Sequence, residues 1–326
     1  MDPIGYQTIR ANGIDFNVAT IGSGERLALC LHGFPESSFS WRFQMPLLAR
    51  LGFRVWAPDL RGYGATSRPV GIKAYALENL EEDVAALIEA SGAKEVVLVG
   101  HDWGALIAWY YAMFGRLPIS RLIIMNVPHP ALARQGLRTR RQLAKSWYIF
   151  FFQLPWIPEW LLARRDCEAI GRVFRDMAVN KSRFPDEVLR VYRDGAARPG
   201  ALTAMLNYYR ALIRGYRRTS GRGTVRIDTP TLMIWGEVDA ALGKELTLGT
   251  EKFVSSLTLR YLPNVSHWVQ QEAPETVNAM IEAWLLGRNV PYAPGSTPLP
   301  QGPGGGKPSI VNRGSRSAGL KPNIWP

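Results

Sequence analysis

The chain has 326 residues, 47% of them hydrophobic and 20% charged, with a net charge of +12. That apolar share excludes a disordered chain, which could not offset its ordering entropy. Two cysteines, Cys30 and Cys167, are too few for a disulfide scaffold and are expected to be free. The charge raises nucleic acid or an anionic membrane as partners, so its placement matters. Residues 131–222 hold 19 Lys and Arg against 7 Asp and Glu. Residues 293–326 add four bases and no acid, and the rest of the chain is slightly acidic. The basicity therefore belongs to a middle segment and a tail.

Taken in chain order, residues 1–130 alternate β-rich runs with helical stretches. Leu27–Leu31, Arg54–Pro58 and Val96–Val99 are short, near-continuous apolar runs that suit parallel strands covered on both faces. Leu80–Ala90 and Ala105–Met113 read as helices, and Ile119–Asn126 as another strand. Residues 131–222 break the rhythm and read as helices interrupted at Pro155, Pro158, Pro185 and Pro199-Gly200. From 230 the alternation resumes, with a strand to Trp235, a helix over 242–253, a strand over Leu257–Leu262 and a helix over 274–286. The expected architecture is an α/β core, 1–130 and 223–292, split by a helical insertion over 131–222. The last 34 residues contain seven Pro and seven Gly and read as a flexible basic tail, 293–326.

The sharpest chemical signal is Val99-Gly100-His101-Asp102-Trp103-Gly104-Ala105, where an apolar strand ends in small–X–acid–X–small and a helix follows. It resembles the nucleophile elbow of the α/β-hydrolase fold, with Asp102 where esterases carry Ser. A carboxylate attacking carbon forms an ester that water can hydrolyse, whereas a serine attacking an alkyl carbon would form a dead-end ether. Asp102 therefore fits displacement at sp³ carbon, either epoxide opening or carbon–halogen cleavage. The second signal is His32-Gly33-Phe34-Pro35-Glu36 directly after a strand. Together the two motifs resemble the epoxide hydrolases of the α/β-hydrolase fold, close to the soluble ones, over roughly residues 5–290.

That resemblance implies an α/β-hydrolase core sheet with an inserted helical cap, and roles for particular residues. The backbone N–H groups of Phe34 and Trp103 would form the oxyanion hole. Phe34, Pro35 and Trp103 would line the substrate pocket. Of the four histidines, His267 lies on the loop after the last strand, where this fold carries its base. His32 and His129 read as structural, and His101 should point away from the nucleophile. Glu237 and Asp239 are both candidates to orient His267, and Asp239 matches the family pattern W-G-x-x-D. The other place where relatives carry that acid holds Asn126. Tyr148, five residues before Gln153, and Tyr209, in Asn207-Tyr208-Tyr209-Arg210, take the positions of two cap tyrosines that protonate the epoxide oxygen.

Trp103 is shared with haloalkane dehalogenases, which use the same Asp–His–Asp triad but lack the paired tyrosines. Fluoroacetate dehalogenases place Arg where this chain has Trp103 and Leu106. The reaction expected is therefore hydrolysis of a small hydrophobic epoxide to a vicinal diol, with no organic cofactor and no metal. The haloalkane dehalogenase reading is the alternative. The basic cap face suits solvent, or weak association with an anionic membrane surface or a carboxylate; no nucleic-acid motif accompanies it. Met1-Asp2-Pro3 offers no basic and apolar leader, so a cytoplasmic location is expected.

Overall fold

The computed structural model describes residues 3–219 and 223–296. The elements run β1 (Gly5–Ala11), β2 (Ile14–Ile21), β3 (Arg26–Leu31), α1 (Gln44–Arg50), β4 (Arg54–Pro58), α2 (Leu77–Ser91), β5 (Glu95–His101), α3 (Trp103–Phe114) and β6 (Arg121–Met125). Six helices follow, α4 (Pro130–Gly136), α5 (Arg140–Lys145), α6 (Trp147–Phe151), α7 (Ile157–Met177), α8 (Asp186–Ala197) and α9 (Ala201–Thr219). Then come β7 (Thr231–Gly236), β8 (Leu257–Leu262), α10 (Val269–Glu272) and α11 (Pro274–Leu285).

The eight strands form one sheet in the order β1-β2-β4-β3-β5-β6-β7-β8. The pairings β1–β2 and β2–β4 are antiparallel, and the other five are parallel. Alternation along the strands explains their unbroken apolar character. Ala28, Cys30, Val97, Val99, Ile123 and Ile234 enter one core beneath α1 and α11. Leu29, Leu31, Leu98, Leu122, Ile124 and Trp235 enter the other, which holds Val84 of α2, Ile107 of α3 and inserted-helix residues such as Phe174 and Tyr208. Each strand is thus buried on both faces, as covered parallel sheets require.

The hairpin β1–β2 lies ahead of the first apolar run. Its signal is Asn12-Gly13, whose φ angles of 47° and 70° suit the tight turn that joins two twisted strands. The helix expected over 242–253 is two 3-10 turns instead, Lys244–Thr247 and Thr250–Lys252. Gly249, at φ 93°, separates them. The hydroxyls of Thr247 and Thr250 bond to the carbonyls of Lys244 and Thr247, which competes with helix continuation.

The proline and glycine interruptions fall at helix boundaries of the insertion. Pro158 lies in the first turn of α7, Pro185 caps α8 and Gly200 precedes α9 at φ 76°. Helix α7 is itself kinked, with non-helical angles from Arg164 to Cys167. Of the expected tail, Ala293 is buried against the core, and residues from 297 onward lie outside the described residues. Among the described residues, no helix is long and apolar enough to cross a membrane.

Candidate active site

The site forms at the carboxyl ends of the parallel strands, where an open α/β sheet presents its loops. Between β5 and α3 the chain turns at a single residue, Asp102, with φ 49° and ψ −121°. Such backbone costs on the order of 1–3 kcal/mol and is tolerated where surroundings fix it. Gly104 is required here because a Cβ would strike the carbonyl oxygen of Leu31. Gly33 is required because a Cβ would occupy the space of the Asp102 carboxylate. The elbow therefore presses Asp102 against the loop after β3, and 18% of its side chain remains exposed.

The Phe34 amide donates to Asp102 Oδ1 at 2.6 Å. Trp103 opens α3, so its N–H is among those that no helical carbonyl accepts. The other carboxylate oxygen, Oδ2, lies 3.4 Å from His267 Nε2. His267 Nδ1 donates to Asp239 Oδ2 at 2.6 Å. Asp239 is fully covered and accepts further bonds from Asn126 Nδ2 at 2.8 Å and the amides of Ala241 and Leu242. The structure thus brings Asp102, His267 and Asp239 into one chain of contacts. Glu237, the other candidate acid, is turned outward and paired with Lys244.

Burial disfavours ionised Asp102 and Asp239, but His267 holds both carboxyls below their ordinary pKa. Burial also opposes charge on His267; the two carboxylates prevail and raise its pKa to about 10. An unperturbed imidazole titrates near neutrality. Facing two anions, the ring instead carries its proton in the free protein.

Beneath this triad lies a buried polar layer outside the expected set of site residues. Glu36, fully buried, accepts from the Gly33 amide, Gln270 Nε2, Gln271 Nε2 and His101 Nδ1. The other nitrogen of His101, Nε2, donates to the backbone carbonyl of His267 at 2.8 Å. His101 also helps keep Asp102 ionised. His101 makes its bonds away from the carboxylate while propping up the base. Glu36 stands in the His32–Glu36 motif, where an acid directly after an apolar strand is the one sequence signal of this layer.

Asn126, at φ 49° after β6, bonds Asp239 through Nδ2 and accepts from the Gly236 amide through Oδ1. It ties the end of β6 to the loop that carries the acid. His32 and His129 are structural. His32 Nε2 accepts from Leu60 N, and His129 caps α4 and stacks on Phe253.

The cover of the site comes from α6 and α9. Tyr148 and Tyr209 approach with ring centroids 5.9 Å apart. Burial, then the charge of Asp102, raises the pKa of each phenol. Phe34 packs against Tyr209 at 5.4 Å, and Trp103 at 5.0 Å. Pro35, joined to Phe34 by a cis peptide, is buried behind it.

Tyr208 turns the opposite way and donates its hydroxyl to Arg61 O. Two side chains outside the expected set hold the cover together. Gln153 Nε2 donates to Ile149 O and Tyr209 O, joining α6 to α9. Arg210 donates to Phe152 O and Leu154 O and pairs with Glu159.

A family model described as the alpha/beta hydrolase fold matches residues 29–274. The chain is 36% identical over 288 residues to the AB hydrolase superfamily protein YfhM of Bacillus subtilis (strain 168), covering 87% of this chain and 99% of that one. It is 37% identical to Epoxide hydrolase 3 of Xenopus tropicalis, covering 86% of this chain and 77% of that one. The solved structure of Bacillus megaterium epoxide hydrolase with an inhibitor superposes with a TM-score of 0.79 at 31% identity, covering 86% of this chain and all of that one. The chain belongs to the α/β-hydrolase-fold family, in the branch that holds the epoxide hydrolases.

Proposed function

We propose that this protein is an epoxide hydrolase that converts a small hydrophobic epoxide to a vicinal diol through an ester on Asp102. The observation that carries the reading is the division of labour between the two Asp102 oxygens. Oδ1 is held by the Phe34 amide, and Oδ2 lies beside His267. Oδ2 attacks an epoxide carbon, the carbon–oxygen bond breaks and its electron pair passes to the ring oxygen. Tyr148 or Tyr209 gives that oxygen a proton, and the phenolate is reprotonated afterwards. The phenols suit the task because burial and the neighbouring carboxylate keep them neutral.

Ester formation removes the charge of Asp102, one of the two anions that hold the proton on His267. The ring can then shed its proton and accept one from water, oriented by Asp239. Water attacks the ester carbonyl, and the charge growing on Oδ1 falls on the Phe34 amide, with the Trp103 amide as second donor. The diol leaves and Asp102 is restored. Residues 1–130 and 223–292 are assigned as the core and 131–222 as the cap. The paired tyrosines favour this reading over the haloalkane dehalogenase alternative.

Single-turnover hydrolysis of an epoxide in ¹⁸O water tests the cycle. Label should enter the Asp102 carboxylate, read by mass spectrometry of its peptide. Diol formed with Asp102 unlabelled would overturn the covalent step, and halide release without epoxide turnover would favour the alternative.

A further inference from the structure

Between residues 137 and 161, nine large apolar side chains face solvent, against ten in the rest of the described chain. Three of the nine are tryptophans, Trp147, Trp156 and Trp160, exposed by 63%, 83% and 61%. No other described tryptophan is exposed. They lie on α6, at the turn into α7 and on its opening stretch. Exposed apolar side chains at this density mark a site of interaction.

The surrounding charge indicates the partner. Residues 131–172 contain eight bases and three acids, and one of those acids, Glu159, is committed to Arg210. Arg164 lies 4.9 Å over the Trp160 ring. Arg164, Arg165 and Arg172 line an open cleft beside Leu161, with Glu168 paired to the last two. A second copy of the chain would set one basic face against another. An anionic bilayer instead meets the arginines with phosphate, which guanidinium binds well. It also offers indoles the boundary between headgroups and acyl chains.

We infer that the outer face of the inserted helices docks on an anionic lipid surface. Trp156 and Trp160 enter the headgroup boundary, and Arg164, Arg165 and Arg172 meet lipid phosphates. If the epoxide hydrolase reading holds, docking has a use. Helix α6 exposes Trp147 and Phe150 to this surface while its Tyr148 covers the site. The bilayer, where apolar epoxides collect, would then lie against the cover of the site.

Sedimentation of the full-length protein with vesicles tests the inference independently of turnover. The vesicles are phosphatidylcholine alone or with about 30 mole per cent phosphatidylserine, which supplies the negative surface potential. The protein should sediment with the anionic vesicles and far less with the neutral ones. About 0.5 M salt should weaken the binding, since it screens surface charge. Trp156→Ser with Trp160→Ser, or Arg164→Gln with Arg165→Gln and Arg172→Gln, should each lower partitioning at least about tenfold. Hydrolysis of a water-soluble epoxide should not change in either variant. Failure to sediment with either vesicle would overturn the inference, as would binding that survives both sets of substitutions. Tryptophan-dependent self-association without vesicle binding would overturn it too, by pointing to a second copy.

Discussion

The floor and the cover of the site are built on opposite principles. The floor is charged. Asp102, Asp239, Glu36 and His267 come from loops at strand ends, and each carboxylate accepts at least one backbone amide. The cover is neutral. Tyr148 and Tyr209 stand among Phe34, Phe152 and Trp103, and they are held from behind by Gln153 and Arg210 bonding to backbone carbonyls. The contrast follows from solvation. A buried ion survives only where fixed dipoles and counter-charges replace water. A phenol needs no such support, and burial makes it a more firmly protonated donor. In the proposed cycle the nucleophile and base therefore sit at the sheet ends, and the proton donors on the inserted helices.

Substitutions can break this division, and the largest effect should fall on the floor. Asp239→Asn should lower turnover by about 10³–10⁴, because a neutral amide can neither orient the His267 ring nor stabilise its imidazolium. Glu237→Gln should leave turnover within about twofold, since Glu237 pairs with Lys244 and not with His267. Steady-state kinetics of both variants would decide between the two candidate acids; equal losses would refute the assignment of Asp239.

On the cover, Tyr148→Phe with Tyr209→Phe should slow alkylation of Asp102 by about 10²–10⁴ while leaving the ester's hydrolysis largely intact. Rapid-quench measurement of both steps reads the split. An unchanged alkylation rate would remove the phenols from the chemistry.

The smallest effect sharpens the electrostatic coupling between the two oxygens of Asp102 and the base. His267 owes its pKa of about 10 partly to Asp102, and esterification removes that charge. The ionisation controlling ester decay should therefore fall by about one unit or more below the free protein's value, with decay accelerating as pH rises through it. Ester lifetime measured across pH is the test. An acid limb still centred near 10 would show that Asp102 does not hold the proton.

Much of this site was legible before the fold was known, because chemistry and geometry met in short segments. Gly100, Asp102 and Gly104 lie within five residues, and the turn they form needs small neighbours at fixed spacing. The apolar runs of β3, β5, β6 and β7 declared a sheet covered on both sides. Less legible were features made by distant residues. Glu36 and His101 are 65 positions apart, and their pairing exists only because β3 and β5 are neighbours. Asn126 reads as a substitution at a place for an acid; its bond to Asp239 depends on two loops 113 residues apart. The helix expected over 242–253 failed because threonine side chains took the backbone carbonyls that a helix would have used.

The sequence by itself determined the class of chemistry, since only a carboxylate at the elbow makes an ester from an sp³ carbon. It also shows a shift to basic, helical character over 131–222, the stretch where helices α4 to α9 come between β6 and β7. Tertiary structure puts Asp239, and not Glu237, against His267, raises the pKa of that ring and brings the two tyrosines within 5.9 Å of each other. Each of these depends on distances of a few ångströms between segments far apart in the chain. Hydrogen bonding and charge–charge energies change steeply over that range, and no local pattern of residues encodes them.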